Sequence, residues 1–279
     1  RRSSDLVHHI ALDVAGTPLE HAVLPGQAFG VVPPGEDDRG RPHKLRLYSS
    51  ASPTGGEDGD GKILATTVKR TIEEHWETGK LFLGVASNYL CDLAPGDEVR
   101  LTGPNGKRFL LPADPAAHDY LFFATGTGIA PFRGMILDLL RSGARSKVTL
   151  VMGAAYRTDL LYHDELTRLA ADHANFRYLT AISREEVGGA PPAYVQDRLE
   201  THRAELGELL TGDRGLIYVC GVAGMELGIF RQLARTLHPR SLEGYLRVDP
   251  EAMEDPDAWT RRMIHKQVAP TRRVMLEVY

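Results

Sequence analysis

The sequence predicts a two-domain protein in which an all-β part is followed by an α/β part with a parallel sheet. The first observation is a series of short strand-like runs before residue 112, separated by turn residues, which is typical of a small antiparallel barrel. The second is a change after residues 112–117 to apolar strands that alternate with helical patterns, which indicates a doubly wound sheet. The third is a glycine turn between a strand and a helix in residues 120–136. We place the domains at 1–115 and 116–279.

Composition limits the class of protein. The chain has 279 residues with 42% hydrophobic and 25% charged residues, which fits one large or two ordinary globular domains. A net charge of −4 gives no bulk electrostatic reason to expect nucleic-acid or membrane binding. Cys91 and Cys220 are the only cysteines, which excludes a disulfide framework or a four-cysteine metal site within this chain. With no long apolar run, no visible signal peptide and no metal-binding histidine spacing, we expect a cytoplasmic protein without a membrane span or a metal.

The all-β part is predicted from runs that are rich in β-branched and apolar residues. A glycine-rich segment at 54–61 reads as a surface loop between two of them. The predicted strands are 7–12, 28–32, 45–49, 63–68, 98–103 and 109–112.

The α/β part is predicted from apolar runs that alternate with amphipathic segments. Because ligands of such sheets bind beyond the carboxyl ends of the strands, the residues that follow each strand are binding candidates. The predicted strands are 120–124, 147–152, 176–182 and 216–220, and the predicted helices include 162–173, 194–206 and 225–237. The candidates at the strand ends are Gly126, Thr127, Gly128, Gly153, Ala154, Ser183, Arg184, Cys220 and Gly221.

The segment 120–136 has the form of a phosphate cradle. A buried strand leads into Gly126, Thr127 and Gly128, and a helix is predicted to begin at Pro131. Free N–H groups and the positive end of the helix dipole would face an anion there, and the glycines allow it to approach the backbone. Since the third glycine of the dinucleotide fingerprint is missing, these residues alone leave a nucleotide site and an ordinary tight turn equally open.

Several motifs together carry a resemblance that covers nearly the whole chain. They are 46–49 (RLYS), 84–93 (GVASNYLCDL), 102–104 (TGP), 126–131 (GTGIAP), 183–184 (SR), 194–196 (YVQ), 219–221 (VCG) and 277–279 (EVY). With these motifs the chain resembles the plant-type ferredoxin–NADP reductase family, and the reductase subunit of benzoyl-CoA epoxidase looks like another close relative. The resemblance implies an antiparallel FAD-binding β-barrel followed by a parallel NADP(H)-binding sheet.

The resemblance also implies roles on the FAD side. Arg46 pairs with the FAD pyrophosphate, Tyr48 stacks on the isoalloxazine, and Ser49 forms a hydrogen bond near flavin N5. Residues 85–87 run along the other side of the phosphates, ahead of a short helix expected to start near Asn88. The full set expected to bind FAD is Arg46, Leu47, Tyr48, Ser49, Thr67, Lys69, Val85, Ala86, Ser87 and Tyr279.

On the nicotinamide side, Ser183 and Arg184 are implied to hold the 2′-phosphate of NADP, and Tyr194 is implied to stack on the adenine with help from Gln196. A Ser-Arg pair favours NADP over NAD, although the lysine that the family places before the tyrosine is missing, with Pro192 in its region. The remaining residues expected to bind NADP(H) are Gly126, Thr127, Gly128, Pro131, Ala154 and Gly221. The residues implied to be catalytic are Ser49, Cys220, Glu277 and Tyr279.

The implied enzyme is a ferredoxin–NADP reductase-type flavin oxidoreductase that exchanges electrons between NADP(H) and a one-electron carrier such as ferredoxin or flavodoxin. Two alternatives stay open: the reductase module of a larger benzoyl-CoA-type oxygenase, and a nucleotide-binding module without turnover. An acidic carrier would dock on basic residues. The basic residues considered for that surface are Arg41, Lys44, Arg261, Arg262, Lys266, Arg272 and Arg273.

Overall fold

The structure is a computed structural model that describes residues 6–279. The chain folds as two compact units. Unit 1 comprises residues 6–110 and 130–138, and unit 2 comprises residues 111–129 and 139–279.

Unit 1 is built from short antiparallel sheets, as the sequence predicts. Strand β1 pairs with β4, and β2 lies between β3 and β7. An isolated antiparallel bridge joins Ser50, just after β3, to Thr66 in β4, so the two sheets are linked at that point. The strands are β1 (Val7–Asp13), β2 (Ala28–Val31), β3 (Arg46–Ser49), β4 (Ile63–Lys69), β5 (Ile72–Glu74), β6 (Leu81–Leu83) and β7 (Leu101–Asn105).

The core of unit 1 follows from alternation along these strands. Side chains of a strand point to opposite faces in turn, so apolar residues two positions apart reach the same interior. Phe29 and Val31 of β2 are fully buried, and Leu64 and Val68 of β4 join them. One apolar layer therefore holds both sheets.

A hairpin in unit 1 was missed by the sequence reading. Strands β5 and β6 pair so that Glu73 lies opposite Phe82. Large apolar side chains remain in solvent here, with Trp76 at 87% exposure and Phe82 at 62%. Because the run shows neither alternation nor a buried face, its pattern does not identify strands.

Unit 2 contains a five-stranded parallel sheet, which confirms the predicted α/β architecture. The strand order is β10-β9-β8-β11-β14, and every neighbouring pair is parallel. The central strand β8 is buried over Tyr120–Ala124, as expected for a strand covered on both faces. The strands are β8 (Asp119–Thr125), β9 (Val148–Ala154), β10 (Phe176–Ile182), β11 (Gly215–Gly221), β12 (Leu246–Val248), β13 (Val268–Pro270) and β14 (Val274–Val278), of which β12 and β13 form a separate antiparallel pair.

Helices connect the parallel strands and cover the sheet. In unit 2, Ile229, Phe230 and Leu233 of helix α6 are fully buried in the core that also contains Ile217 and Val219 of β11. The helices of the chain are α1 (Val85–Asp92), α2 (Ile129–Arg141), α3 (His163–Asp172), α4 (Arg198–Thr201), α5 (Arg203–Thr211), α6 (Met225–Thr236), α7 (Pro239–Leu242) and α8 (Pro250–Met253).

Several predicted boundaries are wrong for local reasons. Helix α1 starts at Val85 rather than near Asn88, with Gly84 at its N-cap. Residues 109–112 form no strand, because Phe109 instead packs on Phe132 of helix α2 with ring centroids 5.7 Å apart. The predicted helix 194–206 is divided, since the backbone leaves helical geometry at His202.

The helix predicted to begin at Pro131 begins earlier. A 3-10 turn at Gly126–Gly128 runs directly into α2, so Pro131 is the third residue of the helix. The missing N–H of a proline still costs nothing there, because the first four N–H groups of a helix have no partner within it.

Across residues 6–279, no helix combines the length and apolar character needed to cross a bilayer.

Candidate functional site

In unit 1, the expected pyrophosphate ligand Arg46 is exposed at the start of β3. Its Nη1 donates to the carbonyl oxygen of Leu45 at 3.3 Å, and none of the ion pairs among residues 6–279 involves it. No carboxylate of residues 6–279 therefore pairs with the Arg46 guanidinium. A guanidinium with free donors can give two parallel hydrogen bonds to a phosphate.

Tyr48 and Ser49 follow Arg46 on the same strand and are more buried. Tyr48 lies opposite Phe29 in the β2–β3 pairing and packs on the core of unit 1. Burial raises the pKa of Tyr48 to about 12, and the nearby Cys91 adds to the effect, so the phenol stays neutral. Leu47, which points the other way, is 56% exposed. The guanidinium of Arg46 and the neutral ring of Tyr48 are therefore two positions apart on one strand.

Two further expected FAD contacts lie on β4. Thr67 is buried and Lys69 is exposed at the end of the strand, opposite His9 and Val7 of β1 respectively. Residues two positions apart in a strand share one face, so both side chains leave the sheet on the same side.

The third FAD segment, 85–87, forms the first turn of helix α1. This turn has no acidic residue, and Gly84 supplies no side-chain cap. Val85 is 49% exposed, whereas Ala86 and Ser87 are buried. The Ser87 hydroxyl accepts from the Thr71 N–H at 3.1 Å and donates to the Gly84 carbonyl at 3.3 Å. Its side chain is thus occupied within the protein, and an anion at this helix start would meet backbone N–H groups.

In unit 2, the expected NADP turn closes tightly on the end of β11. Gly126 has a left-handed φ of +53°, and a Cβ added at Gly128 would overlap the Cys220 carbonyl group. Gly221 has a φ of +145°, and a Cβ there would overlap Thr125. The Thr125 hydroxyl accepts from the Val222 N–H at 2.9 Å. Gly128 and Gly221 are therefore required by close approach at the carboxyl edge of the sheet, whereas Gly126 is favoured by its backbone conformation and has open space where a Cβ would lie.

Cys220, Glu277 and Tyr279 meet at this same edge. The parallel register places Cys220 of β11 beside Glu277 of β14. The Tyr279 N–H donates to the Gly221 carbonyl at 3.0 Å, and the Ala223 N–H donates to the Tyr279 carbonyl at 2.9 Å. The backbone of the last residue is therefore fixed on both sides.

The Tyr279 hydroxyl lies 2.7 Å from the Thr127 hydroxyl. The tyrosine remains 63% exposed as a residue. Desolvation nonetheless raises the pKa of its hydroxyl to about 12, and the hydrogen bond with Thr127 acts in the opposite direction. A neutral, anchored phenol with an accessible ring results.

Two groups at this edge are held away from their charged forms. Burial raises the pKa of the Cys220 thiol well above its ordinary range, and the neighbouring Glu277 adds to that effect. Burial likewise raises the pKa of Glu277. One carboxyl oxygen of Glu277, Oε2, is buried without a hydrogen-bond partner in the described chain. An orphaned polar atom at a binding edge fits a ligand group that would pair with it.

The expected 2′-phosphate residues lie together beyond β10. The Ser183 and Arg184 N–H groups donate to the Ala154 and Ala155 carbonyls, both at 3.0 Å. Tyr194 is 62% exposed and is held by its N–H, which donates to an Asp197 carboxyl oxygen at 2.7 Å. The Ala193 N–H donates to the Ile182 carbonyl at 2.7 Å, so the segments that carry Arg184 and Tyr194 are joined. An exposed guanidinium and an exposed aromatic on two such segments fit a phosphorylated nucleoside.

Two contacts near the expected nucleotide residues, one of Gln196 and one of Glu185, were not predicted from the sequence. Gln196 lies against Gly228 of helix α6, where an added Cβ would come within 2.9 Å of its Cδ. A Glu185 carboxyl oxygen accepts from the Arg157 N–H and ties the loops after β9 and β10 to each other. Neither contact has a local sequence signal.

Three of the basic residues considered for a docking surface are engaged within the protein. Arg41 pairs with Asp37 at 2.6 Å, and Arg261 bonds to the buried Glu226 at 3.0 Å. Arg273 lies over the Tyr245 ring at 4.3 Å from its centroid. Their place in a docking surface stays a prediction. Among residues 6–279, the basic residues of that set without such contacts are Lys44, Arg262, Lys266 and Arg272.

A parallel sheet with glycine turns at its carboxyl edge defines a nucleotide-binding α/β unit. In agreement, residues 122–229 match the family described as Oxidoreductase NAD-binding domain. The chain is 42% identical over 232 residues to a ferredoxin–NADP reductase of Thermosynechococcus vestitus, covering 80% of this chain and 59% of the relative. It is 40% identical to that of a Spirulina species, covering 80% and 77% respectively. The chain belongs to the ferredoxin–NADP reductase family.

The chain spans 55–59% of the length of most of these relatives, including the leaf isozyme of Arabidopsis thaliana, which is 41% identical over 211 residues. Among solved structures, ferredoxin–NADP⁺ reductase from Plasmodium falciparum is similar with a TM-score of 0.69, 22% identity, and coverage of 98% of this chain and 88% of that chain. A second structure of that protein, with 2′P-AMP, has a TM-score of 0.67 and 21% identity. The structural likeness supports the two-part fold.

Proposed function

We propose that this chain is an FAD-dependent reductase that moves electrons between NADP(H) and a one-electron carrier such as ferredoxin or flavodoxin. The observation that carries the proposal is the edge of unit 2, where a buried thiol, a buried carboxyl with an orphaned oxygen and an anchored terminal tyrosine lie beside a glycine turn. Family membership supports the same conclusion.

The residues of unit 1 fit an FAD. Arg46 has free donors for the pyrophosphate, helix α1 offers N–H groups from residues 85–87, and Tyr48 offers a neutral aromatic ring. Ser49 directs its hydroxyl to flavin N5 in this proposal. The bound flavin would supply the conversion between a hydride and single electrons. We assign FAD to residues 1–115 and NADP(H) to residues 116–279.

The residues of unit 2 fit NADP(H). Ser183 and Arg184 bind the 2′-phosphate, Tyr194 stacks on the adenine, and Gln196, now seen against helix α6, borders that position. Residues 126–128 face the pyrophosphate. Ala154 at the end of β9, Gly221 at the end of β11 and Pro131 in the first turn of α2 are the other expected contacts. These assignments follow the sequence motifs and the exposure of the Arg184 and Tyr194 side chains.

Glu277 and Tyr279 are the proposed contacts of the nicotinamide group of NADP(H). The raised pKa of Glu277 keeps a proton on the carboxyl over a wider pH range, so Oε2 can donate to a carboxamide oxygen or pass a proton inward. The Tyr279 ring occupies the position that nicotinamide needs, and its side chain turns away while its backbone stays fixed. Cys220 borders the reacting carbon as a neutral thiol.

The test is electron transfer to a carrier. Purified protein supplied with FAD, NADPH and ferredoxin should reduce cytochrome c only when ferredoxin is present, and the rate should fall as salt is raised if docking is electrostatic. NADPH oxidation without ferredoxin-dependent electron transfer, under the same conditions, would contradict the carrier assignment.

The reductase module of a larger benzoyl-CoA-type oxygenase is the second candidate, since the same motifs carry that resemblance. The coding sequence upstream of Arg1 separates the two: a cysteine-rich iron–sulfur segment there favours the oxygenase. A nucleotide-binding module without turnover is the least favoured reading, because it needs neither Glu277 nor Tyr279. A cytoplasmic location belongs to this proposal as well.

A further inference from the structure

The segment that follows strand β3 is fastened to helix α2 within unit 1. A Cβ added at Gly134 would overlap the Ser52 carbonyl group, so the backbones are in direct contact there. One turn further on, an Asp138 carboxyl oxygen accepts from the Thr54 hydroxyl at 2.6 Å, and both carboxyl oxygens lie 3.1 Å from the Thr54 N–H. The segment begins at Ser50, directly after the proposed flavin contact Ser49.

A nearly buried ion pair completes this attachment. Arg133 of α2 donates from Nη1 to Glu57 Oε1 at 2.8 Å and from Nη2 to Glu57 Oε2 at 3.2 Å. Only 11% of the Arg133 side chain and 21% of the Glu57 side chain are exposed. Arg133 Nη1 also donates to the Ala51 carbonyl at 2.9 Å. A planar guanidinium that holds a carboxylate and a carbonyl together fixes direction as well as distance.

The pair is connected through Ser52 to strand β4, which in turn bonds to Ser49. The Ser52 hydroxyl donates to Glu57 Oε1 at 2.8 Å and accepts from the Ala65 N–H of β4 at 2.7 Å. The Thr66 hydroxyl of β4 donates to the Ser49 carbonyl at 2.8 Å. A chain of hydrogen bonds therefore runs from Arg133 and Glu57 through Ser52 and β4 to the Ser49 carbonyl at the end of β3.

We propose that Arg133 and Glu57 are positioning residues that hold Ser49 in register for the flavin. This inference rests on the proposed function. The contacts argue for more than general stability, because Ala51 and Glu57, which accept hydrogen bonds from the guanidinium, both lie within eight residues of Ser49. Lysine at position 133 would keep the charge but could not hold both groups in one plane.

The chain contains a matched control in unit 2. Arg177 and Glu205 form an ion pair of the same chemistry at 2.7 Å, but their side chains are 53% and 44% exposed. Exposed pairs contribute little, so Arg177→Lys should leave both folding and flavin properties unchanged.

The experiment compares wild type, Arg133→Lys, Glu57→Gln and Arg177→Lys, each loaded with FAD. The readouts are the visible circular dichroism of the bound flavin, the rate of flavin reduction at saturating NADPH, and the KM for NADPH. We expect Arg133→Lys and Glu57→Gln to change the flavin dichroism and to slow reduction by about tenfold or more, because small displacements of a contact group cost rate. The KM for NADPH should stay near that of wild type, and Arg177→Lys should match wild type throughout.

Wild-type dichroism and reduction rates in both variants would overturn the inference while leaving the proposed function intact. So would failure of both variants to fold beside an intact control, since that result shows a stability role alone. A wild-type protein that takes up no FAD would overturn the proposed function, and this inference with it.

Discussion

Strand β3 of unit 1 and the carboxyl edge of the unit 2 sheet differ in how far their proposed cofactor contacts are buried. Arg46 stands in solvent with donors unused, and Leu47 beside it is 56% exposed. At the unit 2 edge, Cys220 is 1% exposed and its backbone is in contact with the glycine turn. The first region leaves its donors open to solvent and to a ligand, whereas the second is packed by the protein apart from the unpaired Glu277 Oε2.

Because of this difference, we expect mutations in the two regions to have different effects. Changes at exposed donors of unit 1 should weaken cofactor binding without altering the free energy of unfolding. Changes at the closed edge of unit 2 should alter stability, the binding of nicotinamide, or the dependence of either on pH.

The largest effect is expected at Gly128. Gly128→Ala places a methyl group into the Cys220 carbonyl, and the backbone has to shift, which should cost about 1–3 kcal/mol or more of unfolding free energy. Urea denaturation of the isolated protein measures it. Gly207→Ala is the control, because that glycine lies in helix α5 with nothing near its missing Cβ and should be neutral or stabilising. Equal stability of the two variants would show that the close approach is not required.

Arg46 should produce the next largest effect, on FAD binding alone. Arg46→Ala removes charge-assisted hydrogen bonds worth about 1.5–3 kcal/mol, so the Kd for FAD should rise by roughly tenfold to a hundredfold. Equilibrium titration of the apoprotein with FAD measures this. Arg145→Ala, another exposed arginine without a partner in the described chain, should bind FAD as wild type does. An unchanged Kd for Arg46→Ala would remove the residue from the site.

Tyr279 should affect nicotinamide binding more modestly. Tyr279→Ser removes a ring that competes with nicotinamide, and stacking of this kind is worth about 1 kcal/mol, so NADP⁺ should bind several times more tightly and NAD⁺ should become a better substrate. Tyr279→Phe keeps the ring and removes only the contact with Thr127, so its effect should be smaller. Steady-state kinetics with both coenzymes distinguish the two, and identical behaviour of the serine variant and wild type would contradict a gating role.

The smallest effect concerns the pH dependence of stability. The pKa of Glu277 in the folded protein is raised above the ordinary value of 4.5 by burial. A raised folded pKa means that the contribution to stability is complete below the ordinary value and is lost as the pH rises through the folded value. The Tm of wild type relative to Glu277→Gln should therefore fall as the pH rises from about 4.5 through the raised pKa of Glu277. A constant difference, or one that rises with pH, would contradict the burial of an unpaired carboxyl.

The parallel sheet was predictable because its strands are short apolar runs with a glycine close to their carboxyl end: Gly126 directly follows β8, and Gly153 is the penultimate residue of β9. The candidates at its edge that follow β8 and β11, such as Gly128 and Gly221, came from the rule that ligands bind beyond strand ends, whereas Glu277 and Tyr279 were named only through the family resemblance. The hairpin of β5 and β6 was not predicted, because Ile72 and its neighbours are exposed on both faces and show no alternation of apolar and polar residues.

The pairing of Glu57 with Arg133 could not be predicted, since the two residues are 76 positions apart and both are of types that usually face solvent. The same holds for Arg273, which reads as a free surface charge yet lies on the Tyr245 ring. In both cases the tertiary fold selects the partner, and no local pattern marks it. The motif residues were identifiable because their chemistry is contained in short segments such as 46–49 and 126–131.

The most direct measurement is an anaerobic titration of the FAD-loaded protein with NADPH, followed by the visible absorbance of the flavin. We expect a bound flavin spectrum whose main band bleaches with one equivalent of NADPH, and a much weaker response to NADH. A protein that binds no flavin, or whose flavin spectrum is unaffected by NADPH, would contradict the proposed reductase.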